Sequence, residues 1–157
     1  MNQKRLKEIF DYDSRGFFIT KIRRGKCKPG SVLKGTPDGK GYKQITVDYK
    51  VHRFHRLVFL WHHGFLPVFI DHKNRRRSDN RIENLRAATN AQNGWNKRLR
   101  PGYKGVHFTP KTGRFRAKIR KDRQVHIGYF ATAKEAALAY DKKAKELFGS
   151  FASLNFP

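Results

Sequence analysis

The chain has 157 residues, enough for one domain or two small ones, and a formal net charge of +24. Charge of this density favours a polyanionic partner, because neutralising phosphates releases condensed counterions. A run of about 18 apolar residues is absent, which excludes a spanning helix, and the single cysteine excludes an internal disulfide and a multi-cysteine zinc site.

Residues 1–41 are predicted to be an accessory segment that contacts DNA. A short helical start covers Leu6 to Phe10, and Ser14 to Gly16 form a turn that enters a strand. The stretch GKCKPGSVLKGTPDGKGY is rich in Gly, Pro and Lys, which predicts a loop that is solvated or lies on phosphates. The first ten residues lack the apolar stretch of a secretion signal, so we expect a cytoplasmic protein.

Residues 42–97 are predicted to combine short strands with short helices. YKQITV and VHRF read as two strands around a turn, and HRLVFLWHHG reads as a helix that ends at Gly64. The apolar run VFIDH predicts a short strand that ends in Asp71 and His72, and RIENLRAAT predicts a second strand. Thr89 is a candidate N-cap for a last short helix, NAQNGWNK.

Asp71 and His72 form the centre of a candidate hydrolytic site. Neighbouring strand side chains point to opposite sides, so the carboxylate could hold a metal on one side of a phosphate while the imidazole activates water on the other. The last helix can bring Asn93 over the strand end, where carboxylate, amide oxygen and water suit one Mg²⁺ or Mn²⁺ ion. Asn84 can hydrogen-bond across the hairpin and fix the histidine-bearing loop. The alternative is that both asparagines are caps or turn residues.

Four separated elements of this region resemble the HNH endonucleases, in particular the phage- and intron-encoded homing branch. They are HRLV at 55–58, Asp71-His72, NLR at 84–86 and Gln92-Asn93. The resemblance covers about residues 6–97 and implies a ββα-metal fold in which Asp71 and Asn93 hold one divalent metal. It also implies that His72 is the general base and that Asn84 is the structural asparagine of the motif.

Two positions depart from the family pattern. Asn93 stands where other members have a histidine, and Asn74-Arg75 stands where many relatives have Asp-Gly, which predicts a less tight turn. Arg75 and Arg76 are candidates for phosphate contacts, with a solvated position as the alternative. We expect His55 to be structural and to pack beneath the ββα unit.

A basic linker, 98–102, leads into residues 103–157. Three strands, YKGVHFT, RFRAKIR and QVHIGYF, precede a helix that begins at a capping box of Thr132 and Glu135 and ends before Gly149. Alternation along the middle strand places apolar residues on one face and basic residues on the other. The pattern predicts a three-stranded sheet packed on one amphipathic helix, with a basic face that can lie in the major groove.

Residues 103–157 also resemble the apetala-type, or ethylene-response-factor-like, DNA-binding domain. The resemblance rests on YKGVHFTPKTGRFRAKI, HIGYFATAKEAALAYDKKAKELFG and LNFP, and it implies that strand side chains enter the major groove of double-stranded DNA. His107 and Lys111 replace an arginine and a tryptophan common in that family, so the plant target sequence does not transfer. The candidate DNA-binding residues here are Lys104, His107, Arg114, Arg116, Lys118, Arg120 and His126.

The patterns together predict an α+β protein in which a ββα-metal nuclease core precedes a small three-stranded antiparallel sheet packed on one helix. The predicted function is a site-specific DNA endonuclease of the homing type, acting as a monomer that nicks one strand. The alternatives are a non-catalytic DNA-binding regulator with a relic nuclease domain and a basic protein that binds RNA or ribosomes. If the gene is carried by a bacteriophage, the expected location is the cytoplasm of the bacterial host.

Overall fold

The computed structural model describes residues 1–97 and 102–157, which divide into two compact units, Met1–Thr89 and Asn90–Pro157. This division differs from the predicted domains at both ends of the nuclease region. The first 41 residues belong to the same unit as the strands that follow them, and the last predicted nuclease helix belongs to the second unit. The predicted linker, 98–102, lies outside the described residues apart from Gly102.

The first unit opens with a short helix, α1 (Gln3–Ile9), whose N-cap Asn2 accepts a hydrogen bond from the backbone N–H of Arg5. Two small antiparallel sheets follow. The first consists of β1 (Phe10–Asp13), β2 (Phe17–Thr20) and β3 (Val32–Leu33), and the second of β4 (Thr36–Pro37), β5 (Lys43–Val47) and β6 (Lys50–Arg53). The stretch predicted as a loop therefore supplies two edge strands, β3 and β4, because two residues suffice to pair with an open sheet edge.

The predicted helix and short strand of the central region are confirmed as α2 (Phe54–His63), which ends at Gly64 with φ 77°, and β7 (Phe69–His72). The second predicted strand is shorter than expected. A 3₁₀ turn covers Ile82–Asn84, and the strand β8 comprises Leu85–Ala88 alone. The backbone of the turn closes on itself through the N–H of Asn84 and the carbonyl of Arg81, so these residues do not join the ladder.

One apolar core joins the two three-stranded sheets and the β7–β8 pair to α2. The ring of Phe18 lies 5.0 Å from those of both Phe10 and Phe54, which links the first sheet to the helix. Each fully buried side chain of this size contributes about 1.5–3 kcal/mol. The first 41 residues are therefore part of the folded first unit. The buried core residues are Leu6, Ile9, Phe10, Phe18, Val47, Phe54, Leu57, Val58, Phe59, Leu60, Ile70 and Leu85.

The β1–β2 hairpin also supports the loop that follows His72. Its turn residue Gly16 has φ 88°, and a Cβ built there would lie 2.7 Å from the backbone nitrogen of Arg81. The hydroxyl of Tyr12 on β1 accepts a hydrogen bond of 2.9 Å from the N–H of Ile82. The glycine is required because the turn packs against the loop backbone without space for a side chain.

The second unit confirms the predicted sheet and helix. Its sheet has the antiparallel order β11-β10-β9, and Thr132 and Glu135 form the reciprocal capping box at the start of the long helix. A Cβ on Gly105 would lie 2.1 Å from the ring of Tyr140, so the chain before β9 needs glycine to approach the helix. The elements are α3 (Asn90–Trp95), β9 (Val106–Thr109), β10 (Arg114–Arg120), β11 (Gln124–Phe130) and α4 (Ala133–Phe148).

The core of the second unit includes a residue that precedes the sheet. Trp95 at the end of α3 stacks on Phe148 at the end of α4, with ring centroids 4.6 Å apart. Asp141 is buried on α4 and accepts hydrogen bonds from the backbone N–H groups of Asn155 and Phe156. The stacking of Trp95 on Phe148 explains why α3 groups with this unit. With small antiparallel sheets and separate helices, the fold is α+β, as predicted.

Among the described residues, no helix has both the length and the apolar character needed to cross a membrane.

Candidate active site and DNA-reading face

Asp71 and His72 lie at the end of β7, where the chain leaves the two-stranded ladder with β8. In this ladder Asp71 is opposite Arg86 and His72 is opposite Leu85. Both polar side chains are buried, with 4% and 5% of their surfaces exposed. Buried polar groups of this kind require specific partners, and the two residues find different ones.

Asp71 is held by an arginine that the sequence analysis did not single out. Its Oδ2 accepts hydrogen bonds from Nε of Arg86 at 2.9 Å and from Nη2 at 2.7 Å. The side chain of Arg86 is only 13% exposed and that of Asp71 5%. The pair is therefore a buried ion pair that fixes the orientation of the carboxylate. Arg86 is part of the NLR motif, but its partner depends on the β7–β8 register.

His72 is positioned by Asn80, which was also missed. The imidazole Nε2 lies 3.2 Å from Oδ1 of Asn80, whose side chain is 3% exposed. Burial lowers the pKa of His72, and the hydrogen bond to Asn80 acts in the opposite direction. The imidazole is accordingly neutral near pH 7, the form in which histidine can accept a proton.

The predicted packing of His55 beneath the site is confirmed. Its ring centroid lies 5.1 Å from that of His72, and Tyr42 lies 5.3 Å and 6.0 Å from the two imidazoles. Burial lowers the pKa of His55 to about 3, with repulsion from His72 as the next cause. Among the described atoms, its Nδ1 is buried without a hydrogen-bond partner. The neutral ring of His55 and the ring of Tyr42 therefore pack against His72.

Asn84 makes the cross-hairpin hydrogen bonds that the sequence analysis expected of it. Its Oδ1 accepts from the backbone N–H of Asn74 at 2.9 Å, and its Nδ2 donates to the carbonyl of Asp79 at 2.8 Å. Its own carbonyl accepts from the N–H of Lys73 at 2.9 Å. One buried amide thus ties both ends of the loop between His72 and Asn80, which holds the histidine from the far side.

The prediction of a looser turn after His72 is wrong. Arg75 adopts φ 64°, the left-handed conformation that glycine has in such turns, and its N–H donates to the carbonyl of His72 at 2.9 Å. Oδ1 of Asn74 accepts from the N–H of Arg76 at 2.9 Å, which closes the turn further. Both arginine side chains are exposed, as either phosphate contact or solvation requires.

Replacing Arg75 with glycine should raise the free energy of unfolding by about 1 kcal/mol, because a left-handed residue with a Cβ is strained by roughly that amount. Urea denaturation of the full chain would measure it. The matched control is Arg76→Gly at the neighbouring exposed position, which should lower stability. If the Arg75→Gly variant is less stable than the wild type, the contacts of the arginine side chain contribute more to stability than the strain of the turn removes.

The residues proposed for a metal fit such an ion in their chemistry, although they do not form a closed protein cage. The described residues contain no group of three or more His, Cys, Asp or Glu that could hold a metal. Asp71 offers a buried carboxylate, with Oδ2 already engaged by Arg86, and Asn93 lies half-buried on α3 in the second unit. One carboxylate and one amide oxygen suit a hard cation that keeps most of its sites for phosphate and water.

The predicted DNA-binding residues of the second unit share one face of its sheet, with one exception. In the β9–β10–β11 register, Arg116 lies opposite His107 on one side and Tyr129 on the other, and Lys118 lies opposite His126. The opposite face carries the buried Ala117 and Ile119. The residues on the reading face are His107, Arg114, Arg116, Lys118, Arg120, His126 and Tyr129.

Lys104 is the exception. Its Nζ donates to the carbonyl of Trp95 at 2.5 Å, and its backbone N–H donates to Oδ1 of Asn155 at 2.6 Å. The lysine thus contacts α3 and the end of the chain within the second unit. Its contact with DNA stays a prediction, because an ammonium group can donate up to three hydrogen bonds.

Tyr129 is a reading-face residue that the sequence analysis missed. The β10–β11 register shifts between Ala117 and Lys118, so that His126 and Tyr129, three positions apart, come to the same face, with rings 4.9 Å apart. Simple alternation would place them on opposite faces. On the same face, Nε of Arg116 is buried without a hydrogen-bond partner among the described atoms, so this guanidinium has unused donor capacity.

Comparison with known proteins finds relatives for both parts of the chain. A family model described as HNH endonuclease matches residues 52–95, and one described as AP2 domain matches residues 101–150. An uncharacterized HNH endonuclease of Acanthamoeba polyphaga mimivirus is 32% identical over 121 residues, which is 74% of this chain and 64% of that protein. The HNH match includes α3, although α3 packs within the second unit.

Two plant proteins match the C-terminal part. Dehydration-responsive element-binding protein 2E of Arabidopsis thaliana is 49% identical over 41 residues, which is 26% of this chain and 17% of that protein. The protein of the same name from Oryza sativa subsp. japonica is 47% identical over 58 residues, 35% of this chain and 18% of its own length. The chain thus spans less than two thirds of each relative. The two family matches together give the chain the arrangement of an HNH endonuclease domain followed by an AP2 domain.

Proposed function

We propose that the chain is a site-specific DNA endonuclease of the homing type, which nicks one strand by hydrolysing a phosphodiester bond. The observation that carries the proposal is the state of His72. This imidazole is buried beside a carboxylate at the end of a strand, its pKa is lowered, and Asn80 holds its Nε2. A purely structural role does not require a neutral, oriented imidazole beside a fixed carboxylate.

The hydrogen bond to Asn80 bears on which ring nitrogen of His72 carries the proton. If the amide Oδ1 accepts from Nε2–H, the lone pair of the neutral ring is on Nδ1. Nδ1 of His72 would then take the proton of a water that attacks phosphorus, while the 3′-oxygen leaves and a 5′-phosphate remains. Asn84 would keep the loop rigid during this step, since it holds both ends of the loop.

A divalent ion, Mg²⁺ or Mn²⁺, would be held by Asp71 and Asn93 and would supply positive charge at the scissile phosphate. Arg86 would keep the Asp71 carboxylate in a single orientation through its two hydrogen bonds. With one histidine centre among the described residues, a monomer would cut one strand in each encounter. This is why we propose nicking in preference to double-strand cleavage.

The reading face of the second unit would bind and position the DNA. Arginine can donate two hydrogen bonds to guanine, whereas lysine contacts phosphate as a point charge. Arg114, Arg116 and Arg120 are therefore the proposed sequence readers, and Lys118 supports the backbone. Arg75 and Arg76, on the exposed loop of the first unit, would contact phosphates close to the hydrolytic centre.

Supercoiled plasmid libraries that carry candidate target fragments would test the proposal. With Mg²⁺ or Mn²⁺ we expect conversion to the nicked circle at a single position, and with chelator no conversion. Immediate appearance of linear plasmid at substoichiometric protein would contradict a monomeric nickase. Tight DNA binding without cleavage under any metal would contradict the enzyme and favour the regulator.

A further inference from the structure

The turn between β5 and β6 is strained. Asp48 and Tyr49 form its two central residues, between the paired Val47 and Lys50, and both have positive φ, 46° and 61°. Such a two-residue turn favours Asn-Gly, because glycine has no Cβ to strain. A tyrosine in the left-handed region is strained, because its Cβ lies too close to the following carbonyl oxygen. Non-glycine residues persist in this conformation where the surrounding structure holds them, often at functional sites.

Two arginines from elsewhere in the unit hold the turn. Nε of Arg5 on α1 donates to Oδ2 of Asp48 at 3.3 Å, and Nη2 of Arg24 donates to the carbonyl of Thr46. Val47, at the base of the turn, is fully buried in the core. The tip of the turn is therefore held by Arg5 on α1, by Arg24 and by the buried Val47. The folded unit accordingly sets the direction of the side chains at the tip.

The anchored tip presents an aromatic ring to solvent. Tyr49 is 103% exposed, the largest value among the large hydrophobic residues that the structure describes, and Val51 two positions later is 64% exposed. Lys50 lies between them and adds a cation. Nothing in the folding of the unit requires a ring at this place, because glycine would form the same turn with less strain.

We propose that Tyr49 is a DNA-contacting wedge, which stacks on or between bases of the double-stranded substrate while Lys50 contacts the adjacent phosphate. Aromatic rings stack on any base, and apolar side chains that enter a groove can part a base step. DNA is the occupant that the charge favours, since the chain carries a net charge of +24. The inference rests on the proposed function only in taking DNA as the partner.

The hairpin also indicates where the contact falls. Tyr42 precedes β5, and its ring lies 6.0 Å from His72, so the base of the hairpin adjoins the hydrolytic centre. The seven steps from Tyr42 to Tyr49 extend at most about 23 Å at roughly 3.3 Å per residue. With the distance from Tyr42 to His72 included and about 3.4 Å per base pair, the contacted step lies within roughly nine base pairs of the scissile phosphate.

The decisive variant is Tyr49→Gly, because stability and DNA binding should move in opposite directions. The glycine relieves the positive φ, so the thermal midpoint of the full chain should rise. The dissociation constant for a mixed-sequence fluorescent duplex should increase about tenfold, the scale of one aromatic–base contact. Tyr49→Phe keeps the ring and should bind like the wild type. Phe65→Ala, at an exposed aromatic of the same unit, is the matched control and should not weaken binding.

Duplexes with 2-aminopurine at successive positions around the mapped nick would locate the wedge by fluorescence. We expect one position within about nine base pairs of the nick to brighten with the wild type and not with Tyr49→Gly. Tyr49→Gly with wild-type affinity, or an equal loss in Phe65→Ala, would overturn the inference and leave the nuclease proposal intact. A wild-type chain that binds no duplex would overturn both, whereas binding without nicking would overturn the nuclease alone.

Discussion

Replacing His72 with alanine should reduce the rate of metal-dependent nicking by about 10²–10⁴-fold, the usual contribution of a positioned general base. DNA affinity should stay within about twofold of the wild type, because the imidazole is buried and the reading face is on the other unit. Single-turnover conversion of supercoiled to nicked plasmid at saturating protein would measure the chemical step separately from binding. The change is large because alanine removes the group proposed to accept the proton of the attacking water.

The matched control for this experiment is His63→Ala, at an exposed histidine of the same unit that lies at the end of α2. It should nick at the wild-type rate. Added imidazole should restore part of the activity of His72→Ala and none of that of a variant lacking Asp71. If His72→Ala nicks within about threefold of the wild type, a proton acceptor other than His72 performs the hydrolysis.

Replacing Arg86 with methionine should lower the free energy of unfolding by about 3–5 kcal/mol, because the Asp71 carboxylate would be left buried without its cation. Methionine has a similar length and retains the packing of the arginine stem. The large effect follows from burial, since the two side chains are only 13% and 5% exposed. Urea denaturation monitored by tryptophan fluorescence would give the difference.

A double variant completes the test of this ion pair. Arg86→Met combined with Asp71→Leu should recover most of the lost stability, because two apolar groups of similar volume replace the pair. The double variant should remain inactive, since the carboxylate is gone. Lys143→Met breaks an exposed pair with Glu146 and should cost less than about 1 kcal/mol. A loss below about 1 kcal/mol for Arg86→Met would show that water reaches the Asp71 carboxylate.

Much of the candidate site could be predicted from local sequence. The apolar run before Asp71 specifies a strand that ends at the histidine, and the asparagine twelve positions after His72 is the amide that ties the loop. The capping box at Thr132 and the alternation along β10 likewise specify their helix and strand. These features are accessible because the interactions that produce them join residues close in sequence, where the period of burial and the hydrogen-bonding groups of the caps are visible.

The partners of the site residues depend on contacts between segments far apart in the chain. Arg86 meets Asp71 through the β7–β8 register, and Tyr12 meets Ile82 over 70 positions. Nothing in the composition of either segment specifies these pairs. The Arg75 turn shows the same limit, because sequence rules predict strain at a non-glycine residue but not whether surrounding hydrogen bonds hold it in place.

The sequence alone determines the basic charge, the histidine at the end of its strand, and the sheet-and-helix unit. Each of these rests on composition or on the local spacing of apolar residues. The folded chain adds the shift between β10 and β11, which brings Tyr129 and His126 to one face, and the burial that keeps His72 neutral. It also assigns α3 to the second unit, through the stacking of Trp95 on Phe148. These features depend on how separate surfaces fill shared space, which no single segment encodes.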